Sequence, residues 1–125
     1  MKAYTSLEQS QKLAEILPIE SAEHHYVRKV CDFRGNSVDG KWSEPKYGNP
    51  ESSYANYLVQ NFTSYEIIPC WSLAALLDTL PSSTLDSSND HYYRLHCMER
   101  FTEWYDNAVD ACYEMVLRLN ELNLL

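Results

Sequence analysis

The C-terminal segment carries the firmest constraint on the fold. Val109, Cys112, Met115, Val116, Leu119 and Leu122 recur at three- and four-residue spacing, the stripe of an amphipathic helix. Asp106 or Asn107 starts it, both good caps, and Asp110 sits near its positive end. A second stripe, Leu73, Leu76, Leu77 and Leu80, lies in "IPCWSLAALLDTLP" and stops at Pro81. A third, Leu7, Leu13, Ala14, Ile16 and Leu17, predicts a helix over Thr5 to Leu17, with Thr5 and Glu8 at capping-box spacing and Pro18 as its stop. Each stripe must be buried against something. Three amphipathic helices therefore demand a surface to cover.

The intervening segments supply that surface. "HHYVRKVCDF" predicts a strand over Tyr26 to Phe33, and "RGNSVDGKW" a turn leading to a short return strand around Lys41 to Ser43. "SYEIIP" reads as a strand from Ser64 to Pro69. "HYYRLHCMERFTEWY" reads as one or two weakly marked strands, and "PSSTLDSSND" as a polar loop. Residues 45–64 fit a short helix or an ordered loop equally well, with Asn49–Pro50 as a cap and first-turn proline. Helix, strands, helix, strands, helix is the order of an α+β fold, a small antiparallel sheet covered by about three amphipathic helices. The 125 residues fit a single domain, 1–125.

Charge weighs against two classes of partner. Ten Lys and Arg stand against 18 Asp and Glu, a net charge of -8. That sign opposes phosphate backbones and anionic lipid alike, so nucleic acid and membrane are disfavoured, although Arg28, Lys29 and Arg34 cluster locally. No apolar run approaches the ~20 residues needed to cross a bilayer. The N-terminus has no apolar signal region, and a cytoplasmic location is expected. Cys31, Cys70, Cys97 and Cys112 form no CxxC and are widely spaced, which favours reduced thiols packed as small apolar groups.

Cys70 is the candidate nucleophile. It sits at the mouth of the leucine helix, where a helix dipole lowers a thiol pKa, and His24, His25, His91 and His96 are available as a base. Trp71 beside it argues for packing instead. His91, His96 and Cys97 are close in sequence but match no zinc spacing, and neighbours on a strand face opposite sides, so no metal or other cofactor is expected. Glu99 with Glu103 and Asp106 with Asp110 are carboxylate pairs that nothing singles out, and the helix-start acids have a capping role. The ten tyrosines are the unusual feature. Trp42, Tyr47, Tyr54, Tyr57 and Tyr65 crowd one segment, together with Phe62 and Trp71, and point to a sugar or base platform, to a protein-binding patch or to the padding of a small core and its rim.

"SLEQSQKLAEILPIESAEHHYV", "IPCWSLAALLDTLP" and "NAVDACYEMVLRLNEL" together form a three-part pattern. In the order of a Glu-Gln-Ser helix, a Pro-x-Trp-Ser-Leu helix and a C-terminal Glu-Met helix, the chain resembles small uncharacterised proteins of gut-type bacteria, many carried on prophages and other mobile elements. The residue between Pro69 and Trp71 is small in that pattern, and Cys70 fits as one more small residue. The resemblance implies a bacterial setting and no activity, cofactor or catalytic residue. The expectation is a small accessory protein that binds another protein, or itself, through Trp42 to Tyr65. The alternative is a small cysteine-dependent enzyme using Cys70 with a histidine.

Overall fold

The structure, a computed structural model, describes residues 2–32, 34–51 and 64–125. Along the chain these form helix α1 (Leu7–Leu13), strands β1 (His24–Cys31), β2 (Lys46–Tyr47) and β3 (Ser64–Cys70), helix α2 (Leu73–Thr79), strands β4 (Ser83–Ser87), β5 (Tyr93–Cys97) and β6 (Arg100–Phe101), and helix α3 (Ala108–Glu121). The strands make two three-stranded antiparallel sheets, ordered β2-β1-β3 and β4-β5-β6. The fold is a small α+β one, its strands shared between two sheets. The chain divides into two compact units, Ser6–Trp71 and Met1–Thr5 with Ser72–Leu125.

In the Ser6–Trp71 unit, α1 is capped one residue later than the sequence suggests. Ser6 Oγ accepts the Gln9 N–H at 3.2 Å, and Gln9 Oε1 accepts the Ser6 N–H at 3.0 Å. Ser6 and Gln9 offer the same capping-box chemistry as Thr5 and Glu8, and Thr5 is taken up in the buried interior. The regular helix ends at Leu13 and continues as turns to Leu17, because the residue before Pro18 is pushed out of helical backbone. Leu13 and Leu17 are buried, and α1 packs on β3.

β1 pairs with β3 from His24 opposite Cys70 to Cys31 opposite Ser64. The predicted return strand at Lys41 to Ser43 is absent, and β2 forms instead at Lys46–Tyr47, opposite His25 and His24. Ser43 ties the intervening run to β1: its Oγ accepts the Val27 N–H at 3.1 Å, and its own N–H donates to the Val27 carbonyl at 2.9 Å. A Cβ on Gly40 would stand 2.3 Å from the Lys29 carbonyl oxygen, so this close passage over β1 admits only glycine. Pro50 and Glu51 are helical and Asn49 Oδ1 accepts the Glu51 N–H at 3.1 Å. Most of the helix-or-loop stretch 45–64 lies outside the described residues.

In the other unit, α3 lays its predicted stripe inward. Val109, Cys112, Met115, Val116 and Leu119 are buried, whereas Leu122, at the helix end, is exposed. Asn107 is the cap, its Oδ1 accepting the Asp110 N–H at 2.8 Å. α3 packs on α2 and β5. The N-terminal residues join this unit: Leu73 donates to the Ala3 carbonyl at 3.3 Å, and Lys2 Nζ pairs with Asp110 Oδ1 at 2.7 Å.

The expected polar loop "PSSTLDSSND" is corrected by the structure. Its centre is β4, paired with β5 from Ser83 opposite Cys97 to Ser87 opposite Tyr93. A polar edge strand has no apolar alternation to announce it, and its conformation is set by its partner. β5 and β6 then close a hairpin through Met98 and Glu99, with φ of 52° and 63°. Two central residues at positive φ make the primed hairpin turn that usually uses Asn-Gly. Met and Glu adopt that backbone at a cost of roughly 1–2 kcal/mol each. Glu99→Gly should therefore raise stability by about 1 kcal/mol, seen as a higher urea midpoint at unchanged slope. A lower midpoint would show that the turn is not a seat of strain.

Candidate functional site

The alternation of β5 builds an outward face rich in aromatic side chains. Leu95 and Cys97 point inward and are buried, so Arg94 and His96 point outward and are half-exposed. Cross-strand pairing then decides their company. Asp86 of β4 stands opposite Arg94, and its Oδ2 accepts the Arg94 Nε–H at 3.2 Å. Phe101 of β6 stands opposite His96, and the two rings stack at 4.2 Å, nearly parallel. The Arg94 guanidinium lies 4.4 Å from the Phe101 ring centre and 4.7 Å from that of Trp104. One cation thus holds two aromatic side chains on the solvent side of the sheet. Phe101 and Trp104 each remain 45% exposed. Tyr92, 48% exposed, stands with Trp104 along a groove completed by Ser88 and Asp90. The sequence carried a signal for this face, the inward-outward alternation of Tyr93 to Cys97, but nothing that placed Phe101 or Trp104 beside it.

The aromatic segment singled out from the sequence divides. Tyr47, on edge strand β2, is 83% exposed and meets the His24 ring edge-on at 5.4 Å. Trp42 is half-buried under the Arg28 guanidinium, 4.8 Å from its ring centre. Tyr65 is half-buried on β3. Tyr54 and Tyr57, like Phe62, lie outside the described residues. Arg28 of the local basic cluster is committed to Glu66, with Nη2 2.6 Å from Oε2.

Cys70 is not part of a helix mouth. It ends β3, two residues before the Ser72 cap of α2, because the pairing with β1 runs through Pro69 to Cys70. That pairing sets His24 directly opposite Cys70, and Tyr26 on the same face is hydrogen-bonded to the Cys70 side chain. The sequence offered four histidines; the register selects one. Burial lowers the His24 pKa, opposed by Glu23 and helped by His25, so the imidazole is neutral near pH 7. Cys70 itself is 0% exposed. The neighbouring His25 is a buried structural residue whose Nδ1–H donates to the Gly48 carbonyl at 2.9 Å. Trp71 is fully buried and its Nε1–H donates to Ser21 Oγ at 2.9 Å.

Of the carboxylate candidates, Glu99 and Glu103 are exposed, whereas the acids at the start of the last helix have structural duties. Asp106 and Asp110 both accept from Asn107 Nδ2, at 2.9 and 2.7 Å, around the start of α3. Glu114 takes Arg118 at 2.8 Å, and the Tyr105 phenol is hydrogen-bonded to it. Among the described residues, no group of three or more His, Cys, Asp or Glu is arranged to hold a metal ion, and no helix is long and apolar enough to cross a membrane. Comparison with protein-family models, with curated proteins and with solved structures finds no match.

Burial pushes the Tyr26 and Tyr105 phenols and the Cys112 thiol up to about 12 each, with the Cys70 interaction adding at Tyr26 and Glu114 at Tyr105. The native state then holds these protons more tightly than the unfolded chain, whose groups titrate from their ordinary values of 9.0 for the thiol and 10.0 for the phenols. Their contribution to stability is whole below pH 9 and is lost as pH rises toward 12. Urea unfolding across that window should show the decline, and Tyr26→Phe should make it shallower. An alkaline slope equal to the parent's would remove the phenol from this account.

Proposed function

We propose that this chain is a small non-enzymatic accessory protein that acts by binding another protein. The observation that carries the reading is the outer face of the second sheet, where Tyr92, Trp104 and Phe101 stay half-exposed around Arg94. Tryptophan, tyrosine and arginine are the side chains that dominate protein interfaces, and a cluster of exposed rings is the usual mark of a contact surface. Tyr47, with the half-buried Trp42 and Tyr65 in the other unit, is a second contact region. The net charge of -8 supports a protein partner over nucleic acid. The reading includes a cytoplasmic bacterial protein of prophage or mobile-element origin. That setting draws on the three-part sequence resemblance, and no cofactor is part of the proposal.

The test is capture of the partner from a lysate of the native host. Trp104→Ala should lower capture at least tenfold while leaving the melting temperature nearly unchanged, since the ring is exposed; an interface tryptophan is worth about 2 kcal/mol or more. Undiminished capture by Trp104→Ala would move the contact to Tyr47, where Tyr47→Ala would show the loss instead. Undiminished capture by both variants would end the proposal for these surfaces.

One observation supports a second reading, a small enzyme using Cys70 with His24: the β1–β3 register sets the two residues opposite each other, with Tyr26 on the thiol. The complete burial of Cys70 ranks it below the first. Iodoacetamide should modify Cys70 far more slowly than a free thiol, and no faster after His24→Ala. Rapid alkylation that disappears in His24→Ala would reverse the ranking.

A further inference from the structure

We propose that the groove between Tyr92 and Trp104 receives a lysine or arginine side chain of the partner protein, its cation over the rings and paired with Asp90. This rests on the outer face being a protein-contact surface. The groove has a volume of about 310 Å³ and is lined by Ser88, Asp90, Tyr92 and Trp104. That is room for one long side chain rather than for a globular insertion.

The groove is held in shape. Ser88 Oγ accepts the backbone N–H of Asp90 at 3.3 Å and of Tyr92 at 3.1 Å, and the Ser88 N–H donates to the Tyr92 carbonyl at 2.9 Å. The turn therefore presents the Asp90 carboxylate and the Tyr92 ring together. Asp90 is exposed, and among the described residues its carboxylate takes no ion pair. Trp104 already shows that it attracts a cation: the Arg94 guanidinium lies 4.7 Å from its ring centre. The charge of Arg94 is answered by Asp86. Asp90 is then the net charge at the groove, and an incoming cation meets a carboxylate and two aromatic side chains. The net charge of -8 extends the same preference to long range, drawing a basic surface toward the protein. An aromatic groove with a carboxylate also suits a sugar ring, whose hydroxyls would donate to Asp90, but a neutral sugar is not drawn by the long-range field as a cation is.

The experiment uses the full chain labelled with nitrogen-15, whose Trp104 indole resonance is assigned by its loss in Trp104→Phe. It is titrated with a capped peptide of glycine, lysine and arginine, with the same peptide bearing glutamate, and with a neutral oligosaccharide. The basic peptide alone should move the Trp104 indole and the Asp90 and Tyr92 amides, more weakly as salt rises. Asp90→Asn should weaken that binding by about fivefold, as expected for one exposed charge pair. Equal movement with the acidic peptide or the oligosaccharide overturns the proposal, as does a Trp104 resonance that the basic peptide leaves in place. In that last case, loss of native partner by Trp104→Ala would still uphold the protein-contact reading, so the two can fail separately.

Discussion

Everything distinctive about the second sheet depends on one packing constraint: α3 must cover β5. The helix buries Val109, Cys112, Met115, Val116 and Leu119, and β5 gives it Leu95 and Cys97 in return. A strand has only two faces. Once alternate residues are dry, Arg94 and His96 are committed to water. The pairing of β4 and β6 on either side then delivers Asp86 and Phe101 to that wet face. The aromatic surface is thus a consequence of the core, and its position is as fixed as the core itself. Arg94 stiffens it further by lying against Phe101 and Trp104 at once.

The first sheet is organised by a similar logic with a different outcome. The β1–β3 register buries Val27 and Ile68, and it also sets Cys70 beside His24 and Tyr26. Thiol, imidazole and phenol together are the ingredients of a reactive site. Here solvent cannot reach the sulfur. Burial raises the Tyr26 pKa and lowers that of His24, which keeps the phenol and the imidazole neutral near pH 7. A sulfur that solvent cannot reach does little chemistry, which is why the surface rather than the thiol carries the functional reading.

Much of the helical structure was legible beforehand. The α3 stripe, a cap at Asp106 or Asn107 and the leucine helix before Pro81 follow from spacing and caps, and the structure chooses Asn107 and ends the regular first helix at Leu13 rather than Leu17. Errors there are small and local, such as the shift from Thr5 to Ser6 at the first cap. Strands fared less evenly. Strands over Tyr26 to Phe33 and Ser64 to Pro69 were visible as β-branched and aromatic runs, and the structure sets them at His24–Cys31 and Ser64–Cys70. Ser83–Ser87 was not visible, because a polar edge strand looks like a loop until its partner is known. The Met98–Glu99 turn was hidden for the opposite reason: the residues that usually mark such a turn are missing.

What the sequence determined by itself is the three amphipathic helices, the direction each apolar face must look and the sign of the protein's field. These rest on hydrogen bonds between residues four apart and on a sum of charges, both of which are local or additive. Tertiary structure alone decided the strand partners: that Cys70 would meet His24 rather than His91, and that Phe101 and Trp104 would converge on Arg94. A strand's hydrogen bonds go to whichever chain segment lies beside it. Register across 46 residues, as between His24 and Cys70, is therefore chosen by the packing of whole faces and not by any residue's neighbours.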